Sequence, residues 1–188
     1  MEQTEKSMFQ LLQRRTTGEY VPIKQVVLNA LDRIEKASKS KGTVTGIPTG
    51  FIDLDYKLSG FQPSDFILIA ARPSMGKTAF SVNIGENVAI ESGLPVAIFS
   101  MEMGGAQLAM RMLGSVGRLD QHRLRTGRLA DEDWPRLTYA IQKMNEAQLY
   151  IDETPALSCT DLRARARRLA RQCSKLGLII IDYLQLMS

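Results

Sequence analysis

Phe66-Ile67-Leu68-Ile69-Ala70-Ala71-Arg72-Pro73-Ser74-Met75-Gly76-Lys77-Thr78 decides the fold class. A run of strand-forming apolar residues enters a short turn that ends Gly-Lys-Thr, and from Thr78 to about Ile90 the sequence reads as a helix. A buried strand, a glycine-bearing turn and a helix N-terminus in that order make an anion cradle, because the helix dipole and the unpaired N–H groups of the first turn both favour phosphate. The spacing Ala71-x-x-x-x-Gly76-Lys77-Thr78 is that of a P-loop except at its first position, where alanine stands for glycine. Alanine is acceptable there if the backbone needs only a negative φ, whereas Gly76 sits where the chain must come closest to phosphate. In this reading the amides of Ser74, Met75, Gly76, Lys77 and Thr78 bind the phosphates of ATP. Lys77 reaches the β- and γ-phosphates, and the Thr78 hydroxyl binds Mg²⁺. The bland alternative is an ordinary strand-to-helix turn.

The surrounding sequence supplies partners for such a cradle. Leu178-Ile179-Ile180-Ile181-Asp182 is an apolar strand ending in a carboxylate, the Walker B pattern, and Asp182 is expected to bind Mg²⁺ mainly through water beside Thr78. Pro95-Val96-Ala97-Ile98-Phe99-Ser100 is another apolar strand, followed at once by Met101-Glu102-Met103. Glu102 is therefore a candidate to polarise an attacking water; the competing reading is a carboxylate facing the dipole of the next helix. Helices are expected over 106–116, 131–147 and 159–174, with a short strand over 149–151. Near-continuous apolar strands alternating with helices indicate an α/β fold, a mainly parallel sheet flanked by helices on both faces. In such sheets ligands bind beyond the C-terminal ends of the strands, where Ala70, Ser100 and Asp182 all open.

Upstream, Ile23, Val26, Val27, Ala30, Leu31 and Ile34 follow the 3.6-residue period of an amphipathic helix with Pro22 at its start. Met8, Leu11 and Leu12 suggest an earlier helix ending near Thr16-Thr17-Gly18. Ser38-Lys39-Ser40-Lys41-Gly42 has the small, polar and basic composition of a linker, which divides the chain into a helical linker segment, 1–40, and an ATPase domain, 41–188. The chain of 188 residues is 44% hydrophobic and 23% charged, within the ordinary soluble range, and its net charge of +4 permits a polyanionic partner without requiring one. Cys159 and Cys173 have no zinc-type spacing with the single histidine, His122, and are expected to be reduced. The absence of a signal segment or membrane span in this sequence gives the expectation of a cytoplasmic protein without membrane partners. Arg163, Arg165, Arg167, Arg168 and Arg171 lie on one helix that precedes the Walker B strand and read mainly as a solvated face, a nucleic-acid footprint being the alternative. Arg111 has a minor claim to reach nucleotide or a neighbour, while His122 and Trp134 read as surface or packing residues.

The motifs Ala71 to Thr78, Phe99-Ser100-Met101-Glu102-Met103 and Ile181-Asp182-Tyr183-Leu184-Gln185-Leu186-Met187 resemble those of the bacterial replicative DNA helicases of the DnaB family. Thr45-Gly46-Ile47-Pro48-Thr49-Gly50, Gln62-Pro63-Ser64-Asp65 and Arg125-Thr126-Gly127 are similar to that family as well. The resemblance implies a RecA-like P-loop NTPase forming a homo-hexamer through linker helix and nucleotide interfaces. It implies hydrolysis of ATP with Mg²⁺, 5′-to-3′ movement on single-stranded DNA, unwinding at the replication fork, and primase and a helicase loader as partners. Carried onto matching positions, it gives Lys77 and Thr78 the phosphates and metal, Glu102 the water and Asp182 the Walker B role. The helix from Ile23 would dock on a neighbouring subunit, packing within its own subunit being the alternative. Measured against the family, the chain reads as partial: the primase-interacting domain, the DNA-contacting loops and the arginine finger are expected outside it. Two other functions stay open, a RecA relative of recombinase or circadian-clock type, and a module that binds nucleotide or a partner without turnover.

Overall fold

The computed structural model describes residues 21–39, 44–72, 74–173 and 175–188. The chain divides into two units, Met1–Gly42 and Thr43–Ser188. In the first, helix α1 spans Ile23–Lys39 with no acidic residue in its first turn. Val26, Val27, Leu31 and Ile34 are all exposed. The helix runs five residues beyond Ile34, through Ser38 and Lys39, so the linker composition begins inside it: propagating a formed helix by one residue costs little. The earlier helix expected around Met8 to Leu12, and Ser40 to Gly42, lie outside the described residues.

The second unit begins with a turn, residues 44–51, and helix α2, Ile52–Leu58. Asp55 ties them together, its buried carboxylate accepting from the Thr49 N–H and hydroxyl, both at 2.8 Å, and from the Gly50 N–H at 3.2 Å. Asn87 Nδ2 donates to the Thr49 carbonyl at 3.0 Å and so anchors the turn to the helix that follows the cradle. An antiparallel bridge between Ile47 and Phe61 closes this opening segment.

The sheet has three parallel strands in the order β2-β1-β3, where β1 is Val96–Ser100, β2 Leu149–Asp152 and β3 Leu178–Asp182. Val96 faces Leu149 on one side and Leu178 on the other, and Ser100 is the partner of Asp182. Helix α3 (Lys77–Ile90) precedes β1. Helices α4 (Gly105–Gly117), α5 (Gln121–Thr126) and α6 (Asp133–Glu146) lie between β1 and β2, and α7 (Cys159–Gln172) between β2 and β3. Every residue of β1 is buried, and its alternating side chains feed two cores. Val96 and Ile98 pack with Val82, Ile84, Val88, Leu108, Met112 and Ile180, whereas Ala97 and Phe99 pack with Leu157 and Ala166. Sequence patterning predicts this two-faced cover, since a strand buried on both sides needs no polar alternation.

Local chemistry sets the helix ends. Ser158 caps α7, accepting from the Asp161 N–H at 3.1 Å while its hydroxyl donates to the Asp161 carboxylate at 2.7 Å. Asp120 caps α5 through the Arg123 N–H at 2.9 Å, and this six-residue helix is one that periodicity does not reveal. Glu86 of α3 is buried with one carboxylate oxygen unpaired. Burial pushes its carboxyl up to about 7, against the opposing pull of a hydrogen bond with Ser115.

One predicted element is absent. Residues 66–70, read from composition as a strand, carry no ladder; Phe66 is 82% and Leu68 68% exposed. Apolar content makes a segment suitable for a sheet, but a strand exists only where a neighbour meets its N–H and C=O groups, and β3 pairs here with β1 alone.

Candidate nucleotide site

The register that sets Ser100 beside Asp182 brings the ends of β1 and β3 to one sheet edge, where neighbouring strands lie about 4.8 Å apart. The Met101 N–H donates to the Asp182 carbonyl at 2.8 Å, so the chain leaving β1 toward Glu102 is fastened to the Walker B position. The turn that launches α3 arrives at the same edge.

Two residues shape that turn. Ser74 has φ 65° and Gly76 φ 87°, left-handed conformations that bend the chain tightly ahead of Lys77. Gly76 is also the N-cap of α3 and offers no side-chain acceptor, so the first-turn amides of the helix keep their capacity for an anion. A Cβ built on Gly76 meets nothing within 4 Å, so packing does not demand glycine there; the positive φ does. Pro73 lies outside the described residues.

At the edge itself the Thr78 hydroxyl donates to one Asp182 oxygen at 2.7 Å, and the Lys77 ammonium pairs with the other at 3.1 Å. The Asp182 side chain is only 5% exposed, and a buried carboxylate needs such partners. Lys77 also lies 4.0 Å over the Tyr183 ring, a cation–π contact. A hydroxyl and a carboxylate 2.7 Å apart form a hard-oxygen pair of the kind Mg²⁺ accepts. Among the described residues no group of three His, Cys, Asp or Glu could hold a metal.

A cleft of about 930 Å³ runs along this edge, lined by Ser74, Gly76, Lys77, Thr78, Glu102 and Asp182. Met75 is apart from them: its side chain is 73% exposed and its N–H donates to the Arg72 carbonyl at 3.3 Å. Arg111 lines the cleft too, a place its sequence position only suggests. Tyr183 is a residue that motif reading passes over, although an aromatic directly after the strand-ending Asp182 was the available signal. Of the arginines on α7, Arg165 departs from the solvated reading, with Nη1 2.7 Å from Asp152 Oδ2. Burial acts to raise the Asp152 carboxyl, but hydrogen bonds from Arg165 and Thr154 outweigh it and hold the group below the usual carboxylate range. Cys159 and Cys173 are free thiols. Among the described residues no helix is long and apolar enough to cross a membrane.

Residues 46–188 match the family described as the DnaB-like helicase C terminal domain. The chain is 48% identical over 186 residues to the replicative DNA helicase DnaC of Bacillus subtilis, covering 99% of this chain and 41% of that one. It is 47% identical over 186 residues to the replicative DNA helicase DnaB of Geobacillus stearothermophilus, with the same coverage. The chain thus spans about two fifths of the length of these curated relatives. Among solved structures, one described as an ATPase domain superposes with a TM-score of 0.83 at 30% identity, over 90% of this chain and 60% of that one. A DnaB-like replicative helicase, described with its interactions with primase, gives a TM-score of 0.79 at 29% identity, over 98% of this chain and 44% of that one.

Proposed function

Because the chain belongs to the DnaB-like helicase family, we propose that its Thr43–Ser188 unit is part of a motor that hydrolyses ATP to drive 5′-to-3′ movement on single-stranded DNA and unwinding at the replication fork. The observation that carries this reading is the meeting of Lys77, Thr78 and Asp182 at the sheet edge, with Glu102 in the same cleft. The amides of Ser74, Gly76, Lys77 and Thr78 receive the phosphates, with Met75 contributing through its backbone after release from Arg72. Lys77 exchanges the Asp182 carboxylate for phosphate oxygens, and the Thr78 hydroxyl and Asp182 carboxylate would hold Mg²⁺. When bound, the ion neutralises charge developing on the phosphates. Glu102 accepts a hydrogen bond from the attacking water and draws off its proton as the water oxygen bonds to the γ-phosphorus and the bond from that phosphorus to the β,γ-bridging oxygen breaks, releasing phosphate and ADP.

The motif around Glu102 and the match across residues 46–188 favour a helicase over a recombinase or clock-type relative. Residues 1–40 are a docking segment in this reading: the exposed Val26, Val27, Leu31 and Ile34 of α1 seat on a second copy and help form a homo-hexamer. Primase and a helicase loader are further proposed partners, in the cytoplasm of a bacterium.

A forked duplex tests the function. The protein at the length of its relatives should displace a strand only with ATP, Mg²⁺ and a free 5′ tail, and nucleotide binding without displacement would make it a binding module instead. Removing residues 1–40 should shift its sedimentation toward smaller species, and unchanged assembly would return α1 to packing within its own subunit.

A further inference from the structure

Glu102 sits on a turn that local sequence holds only in part. Ser100 Oγ donates to the Met103 carbonyl at 2.7 Å and accepts from the Met103 N–H at 3.2 Å, stapling the turn on its β1 side. On the other side α4 begins at Gly105 after Gly104, an N-cap with no side chain to offer. The missing acceptor comes from 48 residues away: the Glu153 carboxylate takes the Gly105 N–H. It meets one of the unpaired donors of the first helical turn and sets a negative charge at the positive end of the helix. Gly105 eases this approach, since a Cβ there would stand a tight 3.2 Å from Glu153 Oε2, whereas one on Gly104 would make an ordinary contact at 3.6 Å.

Glu153 is itself on a fastened turn. Asp152 Oδ1 accepts from the Thr154 N–H at 3.1 Å. Arg165 Nη1 donates to both Asp152 oxygens, at 3.0 and 2.7 Å, and to the Thr154 hydroxyl at 2.7 Å. A line of polar contacts therefore runs from α7 through the end of β2 to the start of α4, and stops three residues from Glu102. Arg165 stands at its head, which accounts for a cation there that solvent alone would not explain.

We propose that Glu153 is a positioning residue for Glu102. By holding the Gly105 N–H it fixes where α4 starts, and with it the direction in which the 101–103 turn presents the Glu102 carboxylate. The proposal rests on the reading of Glu102 as the group that polarises water. Glu153 takes no proton and touches no phosphate, so its influence falls on turnover and leaves nucleotide affinity alone. The hydrogen bond is what matters, and an amide oxygen at the same place serves nearly as well as a carboxylate.

Steady-state ATP hydrolysis with Mg²⁺, on the protein at the length of its relatives, tests this. Since small misplacement of a reacting group is costly, Glu153→Ala should lower kcat roughly tenfold with KM for ATP changed less than about twofold. Glu153→Gln should recover most of the loss, and Glu153→Asp, whose carboxylate is one methylene short of the Gly105 N–H, should reproduce part of it. Glu153→Ala combined with Glu102→Gln should be no slower than Glu102→Gln alone, because the two act as one unit. Wild-type kcat in Glu153→Ala beside an inactive Glu102→Gln overturns the proposal and keeps the role of Glu102; brisk hydrolysis by Glu102→Gln overturns that role itself. Glu153→Gln as slow as Glu153→Ala, or parallel losses in kcat, affinity and melting temperature, also overturns the proposal. Should Glu153→Ala fail to fold, Glu153→Asp still decides, since wild-type kcat in it overturns the proposal.

Discussion

Lys77→Ala is expected to abolish the rise in melting temperature that Mg²⁺-ATP gives the wild-type protein. At a nucleotide concentration about a hundred times Kd, binding stabilises the folded state by about 2.7 kcal/mol, which for a domain of this size is a shift of roughly 5 to 10 °C. Lys77 is the cation of the cradle, and without it the first-turn amides of α3 must hold several negative charges alone. The substitution also removes the ion pair 3.1 Å from Asp182, whose side chain is almost fully buried, so the variant should melt lower even without nucleotide. The decisive quantity is therefore the nucleotide-dependent increment within each variant. Lys77→Arg, which keeps a charge beside Asp182, separates the two effects. An increment in Lys77→Ala equal to that of the wild type would remove the cradle from nucleotide binding altogether.

Glu102→Gln has the second large expected effect. In the protein at the length of its relatives, ATP turnover should fall by roughly 10² to 10⁴, the range for losing a general base, while the thermal increment with Mg²⁺-ATP stays near that of the wild type. The amide keeps the size and hydrogen-bonding reach of the side chain but cannot take a proton. Glu102 is exposed and lines the same cleft as Lys77 and Thr78, so replacing it should leave the fold intact. Near-normal hydrolysis would take Glu102 out of the mechanism, and loss of binding would make it part of the phosphate site instead.

What the sequence discloses about this fold follows the range of the forces involved. The α3 helix, the strands at Val96 and Leu178 and the helix at Cys159 are legible because their apolar periods and caps lie within a few residues of one another. The cradle is legible for the same reason, its amides, Lys77 and Thr78 being consecutive. The meeting of Thr78 with Asp182 spans 104 residues and is legible only through the rule that strand ends of one parallel sheet share an edge. No such rule covers Glu153 and Gly105, or Arg165 and Asp152, since nothing in a glutamate after a short strand announces which helix it will cap. Residues 66–70 show the converse: composition there gives the capacity for a strand, while the ladder depends on what lies alongside.

If the site takes ATP and Mg²⁺ as proposed, the pairing of Lys77 with Asp182 would also make phosphate and cation mutually dependent ligands. Drawing Lys77 away to an anion would leave a nearly buried carboxylate with the Thr78 hydroxyl but no countercharge, a loss that a metal ion at Asp182 would make good. Each ligand then raises the affinity for the other by an equal factor, as linkage requires. Nucleotide without its metal would then bear the cost of the orphaned carboxylate, and the edge where β3 ends would discriminate between ATP and Mg²⁺-ATP before any chemistry begins.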